Sequence, residues 1–103
     1  MPGMDMSHAA GNTPGGSDDA SSKAFKEADQ KMMKDMNAPS YTGDADKDFV
    51  SHMIPHHQGA IEMAQVELKY GKDPILRRLA RQIVKAQHDE IQLMQRWRSK
   101  RGE

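Results

Sequence analysis

The 103-residue chain contains no cysteine. Disulfides and thiolate metal sites are therefore excluded, and any metal ligand must be histidine, methionine or a carboxylate. An excess of one charge is also missing. Lys plus Arg number 15 and Asp plus Glu number 15, so no global field draws the chain to nucleic acid or to an anionic membrane. No apolar run reaches the ~18 residues of a membrane span. No charged-then-apolar leader opens the chain either, so a secreted form would already have lost its signal peptide. Aromatic residues make up only 5%. That is too few to stack bases along the row Arg77, Arg78, Arg81 and Lys85, which reads instead as a solvated helix face. A chain this short has little room for a self-sufficient core, so association of copies is expected.

What the chain does have is methionine, nine residues, together with five histidines. Three of those histidines and two of the methionines fall in His52-Met53-Ile54-Pro55-His56-His57-Gln58-Gly59-Ala60-Ile61-Glu62-Met63. Imidazole nitrogen and thioether sulfur are neutral ligands that suit Cu(I) or its analogue Ag(I), whereas Ca²⁺ and Mg²⁺ want oxygen. The plain alternative is methionine as core filler beside partly exposed histidines. Residues 1–21, with their Gly, Pro, Ser and Asp, read as a flexible tail ahead of a helical metal-binding domain at 22–103. Within the tail, Met4, Met6 and His8 are spaced so that a short loop could wrap a low-coordinate Cu(I), or they form a mere Met-rich leader.

Apolar residues Phe25, Ala28, Met32 and Met36 recur at helical spacing from about Ser22 to Met36, and Met33 sits beside them. Met32, Met33 and Met36 can converge as a soft-ligand group or dock a short helix through pliable side chains. Asp44 then caps a helix that ends near Tyr70, with Gly71 as its C-cap. Phe49, Val50, Met53, His57, Ala60, Ile61, Ala64 and Leu68 form its apolar stripe, edged by His52, His56 and Met63. Pro55 either kinks this helix from within or starts it. Asp73-Pro74 opens a last helix with the stripe Ile75, Leu76, Leu79, Ala80, Ile83, Gln87, Ile91, Met94 and Trp97, on which Glu90 also falls. The short Gly71-Lys72-Asp73 link forces an antiparallel hairpin. Folding at residue 72 or 73 brings His57 level with Gln87 and Glu90, and Met53 level with Ile91 and Met94. A buried Glu90 would need a partner, either His57 alone or a metal or water.

The Tyr41-to-Asp46 lead-in, Asp48-Phe49, the Met53-Ile54-Pro55-His56-His57 string running to Ala64, Tyr70 to Pro74, Gln87, Glu90-Ile91 and Met94 to Trp97 together resemble the domain-of-unknown-function family numbered 305. That family includes copper-binding periplasmic proteins called CopM-like, and the resemblance covers roughly residues 41–97. It implies an all-α, ferritin-like arrangement: two long antiparallel helices and a short N-terminal one, completed to a four-helix bundle by a homodimer or larger oligomer, because this chain carries one hairpin where longer members carry two. It also implies a periplasmic or secreted protein that sequesters or traffics Cu(I), and Ag(I), through Met53, His56, His57, Met63, Glu90 and Met94, with Cu(II) as a further possibility and a copper-trafficking protein as a partner. His52, His88, Met32, Met33, Met36, Met4, Met6 and His8 join the candidate ligands on chemistry alone. Enzymatic readings lack their motifs: no Glu-x-x-His pair serves a di-iron oxidase, and no His-Glu-x-x-His serves a zinc peptidase. The remaining rival is a metal-free helical adaptor that oligomerises through a Met-rich core.

Overall fold

A computed structural model describes residues 16–102. These form three helices, α1 (Gly16–Asn37), α2 (Ala45–Tyr70) and α3 (Pro74–Lys100), and no strand occurs among the described residues. Asp44 caps α2 by accepting from the amides of Asp46 and Lys47 at 3.0 and 3.2 Å. Asp73 caps α3 through Ile75 and Leu76 at 2.8 and 3.0 Å, with Pro74 in the first turn. Both caps satisfy amides that a helix start leaves without intrahelical partners. Pro55 lies inside α2, so the helix does not begin there.

Two local features depart from the sequence reading, the start of α1 and the place of Arg77. Helix α1 starts at Gly16, ahead of the expected Ser22, because an apolar stripe cannot mark turns made of Ser, Asp and Ala. Gly71 is the C-cap of α2, as expected, with extended backbone at φ −73 and ψ 153. Space is what requires glycine there, since a Cβ would lie 2.6 Å from the Glu67 carbonyl oxygen. Arg77 is not part of a solvated face: it is half-buried and donates to the carbonyls of Leu68 and Gly71 at 2.6 and 3.1 Å. The last carbonyls of α2 lack helical partners, and this guanidinium supplies them across the turn.

Helix α2 is the central element, packed on α1 along one side and on α3 along another. Val50, Ile54, Ile61, Ile91 and Met94 form the core of the α2–α3 seam, with Met53, Val84 and Trp97 against it. The body measures 50 × 26 × 20 Å, so its thin dimension is about two helix diameters. Among the described residues no large side chain is completely sealed from solvent. Part of the expected stripe is in fact outside: Phe49 is 61% and Ile75 72% exposed, and Leu76 and Leu79 are exposed as well, as is Leu93 off that stripe. Among the described residues nothing covers these side chains.

The α1–α2 seam closes over Gly59, which is buried. A Cβ on Gly59 would overlap Met32 down to its own Cβ, at 2.9 Å, so the clash involves more than a mobile side-chain tip. Gly59→Ala gains about 1 kcal/mol of helix propensity, but overpacking costs typically 1–3 kcal/mol. Urea unfolding followed by circular dichroism should show net destabilisation. In a Met32→Ala background, which removes the Sδ and Cγ overlaps but keeps the 2.9 Å contact with Cβ, the destabilisation should shrink without vanishing; destabilisation unaffected by Met32 would contradict this packing.

Candidate metal centre

Helix α2 aims His57 at α3, where it is the one buried polar or charged residue of the described core. Its Nε2 lies 2.5 Å from Glu90 Oε1, 33 residues along the chain. The Glu90 side chain is 54% exposed, so it is not the buried carboxylate expected from the stripe; it reaches in from the rim, which leaves its charge largely hydrated. An ionised carboxylate only accepts, so Nε2–H of His57 is the donor and the lone pair of the neutral ring sits on Nδ1. Nδ1 is buried and meets no hydrogen-bond partner, and the same holds for Oε1 of Gln87, one turn before Ile91 on α3. A buried polar atom left unsatisfied costs about 1–3 kcal/mol. One such atom on α2 and one on α3 leave polar capacity open in the helical body, and the Glu90–His57 pair is the arrangement by which proteins orient a metal-binding imidazole. Met53 packs against the cluster that holds Met94. Gln87 was not among the expected ligands; a glutamine on an apolar stripe, level with His57, was the available signal.

The other candidates are placed as follows. His56 is exposed, with its ring edge-on to His57 at a centroid distance of 6.2 Å. Met63 is half-buried two turns further along α2. Met32 and Met36 are half-buried, but Met33 is 61% exposed and does not share their face, so the three sulfurs do not converge. His88 is exposed, two positions and hence ~200° around α3 from Glu90. It lines a separate groove of about 500 Å³ with Lys31, Gln58 and Glu62. Met4, Met6 and His8 lie outside the described residues. Among the described residues, no three His, Asp or Glu side chains gather into a metal-binding group. A site built here from one chain therefore has to recruit thioether sulfur, or leave positions to water.

Near the start of α2, the Asp48 carboxylate organises the preceding loop. It accepts from the Thr42 amide at 2.9 Å, the Thr42 hydroxyl at 2.8 Å and the Gly43 amide at 3.3 Å. Partial burial works to raise the Asp48 pKa, but the Thr42 hydroxyl and the two amides outweigh it and hold it below 3.8. The Lys47 amide, helped by Arg101, likewise lowers that of Asp44. Arg101 Nη2 donates to Asp44 Oδ2 at 3.0 Å, tying the end of α3 to the start of α2. A carboxyl whose folded pKa is depressed stabilises the fold above its unfolded pKa, and that contribution disappears as pH falls through the folded value. Asp48→Ala should therefore lower the melting temperature at neutral pH, and the gap from the parent should close toward pH ~2. A gap that is constant with pH would mean that the carboxylate charge is not what holds the loop.

No protein of curated function matches the chain. The profile of the domain of unknown function DUF305 matches residues 2–98, which takes in α1, α2 and nearly all of α3. That span is wider than the 41–97 on which the motifs rest, and it covers almost the whole sequence. The chain belongs to the DUF305 family.

Proposed function

We propose that the protein is a copper-binding protein of the periplasm or extracellular space, not an enzyme, and that it sequesters or traffics Cu(I), with Ag(I) as its analogue. The observation that carries this reading is the partnerless Nδ1 of His57, a buried lone pair whose ring is held by Glu90 through the other nitrogen. A neutral imidazole beside the thioethers of Met53 and Met94 fits a soft monovalent ion, which costs less to desolvate than a divalent one. Glu90 then acts as the group that orients the ligand, and His56 and Met63 are outlying ligands on the solvent side of α2. Localisation and a part in copper resistance, with a trafficking protein as donor or acceptor, follow from the resemblance to CopM-like proteins.

The uncovered flank supports self-association to a four-helix, ferritin-like bundle. Phe49, Leu93 and Trp97 line a groove of about 380 Å³ beside the core, and a second copy of the same flank offers the matching apolar surface. Light scattering at micromolar protein should return a dimer or larger, and Leu93→Glu should shift it toward monomer with helicity intact. A parent that is monomeric and fully helical would exclude the assembly.

A Cu(I) titration under reducing conditions against a competing chelator should find a stoichiometric tight site. Met53→Leu, close in volume, should keep the fold to within about 1.5 kcal/mol while weakening Cu(I) binding. Histidine must be neutral to ligate, whereas a thioether has no proton to lose. Cu(I) affinity should therefore fall by a finite step as pH drops from about 7 to 5, the range in which histidine generally changes charge, and then level. Zn²⁺ should be lost altogether over that range. No tight site, or one indifferent to Met53, would favour the metal-free adaptor.

A further inference from the structure

The loop before α2 does more than lead into a helix: it holds one particular histidine in place. His52 Nδ1 lies 2.8 Å from the Asp48 carbonyl oxygen, which can only accept. Nδ1 therefore carries the proton, and the lone pair of the neutral ring is on Nε2. Tyr41 stacks on the same ring, with centroids 4.5 Å apart and planes 9° from parallel, although Tyr41 itself is 80% exposed. The loop carrying Tyr41 is in turn fastened to the Asp48 carboxylate through Thr42 and Gly43. One residue, Asp48, thus fixes the tautomer through its backbone and the ring plane through its side chain. An exposed aromatic ring on a half-buried histidine adds little core. What the arrangement delivers is a pre-oriented nitrogen donor, the same device that steadies metal-ligating histidines elsewhere.

His56 stands one turn further along α2, exposed, on the same face. Two histidines at i and i+4 sit about 5–6 Å apart at Cβ, the spacing by which a single helix presents two imidazoles to one ion. Met63 is seven residues beyond His56, roughly 10 Å along the axis, too far to add sulfur. No third His, Asp or Glu of the described residues joins the pair, which leaves the other positions of the shell to water or to a donor outside those residues. Two imidazole nitrogens with water suit divalent borderline cations, among which Cu(II) binds tightest. We propose that His52 and His56 form a second metal site, on the surface of α2, that takes a divalent nitrogen-seeking cation, Cu(II) above all, and is separate from the soft site at His57. His56 is also an outlying ligand in the Cu(I) reading, so His52, which has no part in that reading, is the residue that tells the two sites apart.

The test is an aerobic titration of the full-length protein with Cu(II) against glycine as competitor, with electron paramagnetic resonance of the bound ion. The expected result is nitrogen hyperfine structure from two imidazoles. His52→Ala and His56→Ala should each weaken binding at least about tenfold, the loss expected for a partner worth roughly 1.4 kcal/mol. Tyr41→Ala should weaken it less, with Tyr41→Phe restoring it because the phenyl ring still stacks. Met53→Leu should leave Cu(II) binding unchanged, and His52→Ala should leave Cu(I) binding under reductant unchanged, which keeps the two sites distinguishable. Cu(II) binding that survives both histidine changes, or that vanishes in His8→Ala instead, would overturn the proposal, as would a spectrum without two imidazole nitrogens.

Discussion

The hydrogen bond from His57 to Glu90 is the constraint around which the rest of the molecule is arranged. It joins α2 to α3 across 33 residues of chain, and it decides which ring nitrogen keeps a lone pair. The devices that bring these two residues level are local and polar. Asp73 and Pro74 start α3 at a set point, Gly71 lets the chain pass close to Glu67, and Arg77 supplies the carbonyls that α2 leaves open. None of them touches His57, yet a slip of one residue in the turn would rotate Glu90 by ~100° and part the pair.

The fold around that bond is thin, and the thinness bears on function. Three helices bury a small apolar cluster between α2 and α3 and a glycine contact between α1 and α2. His57 is buried in a body only about two helix diameters thick, so it lies near solvent yet in surroundings dry enough for a charged group to be costly unless paired. The solvent-facing His56 and the loop-braced His52 lie along the same helix, so the imidazoles of α2 run from open surface to seam. In both braced histidines one nitrogen is committed to an oxygen acceptor and the other is left over, Nδ1 in His57 and Nε2 in His52.

Much of this was legible in the sequence because it rests on short-range rules. Asp44, Asp73 and Pro74 announce helix starts by capping chemistry, and the brevity of Gly71-Lys72-Asp73 sets the hairpin register that pairs His57 with Glu90. What was not legible depends on where solvent lies. A helical stripe locates Glu90 near the seam, but its side chain is long enough to reach His57 from an exposed rim, and periodicity alone does not tell a rim from a core. Phe49, Ile75, Leu76 and Leu79 carry the period of a buried face, and whether a face is buried depends on a covering element that the three helices do not supply. Arg77 looks like its neighbours Arg78 and Arg81 until the turn places two carbonyls within its reach. Met33 fails to join Met32 and Met36 because adjacent helical residues point ~100° apart.

The central claim is that the leftover nitrogen of His57 and the neighbouring thioethers make a soft-metal site. X-ray absorption at the copper edge, on protein loaded with one equivalent of Cu(I) under reductant, reads the donor atoms directly. The account predicts a first shell that mixes sulfur with imidazole nitrogen and loses sulfur in Met53→Leu. A shell of nitrogen and oxygen alone, the same in parent and variant, would contradict it.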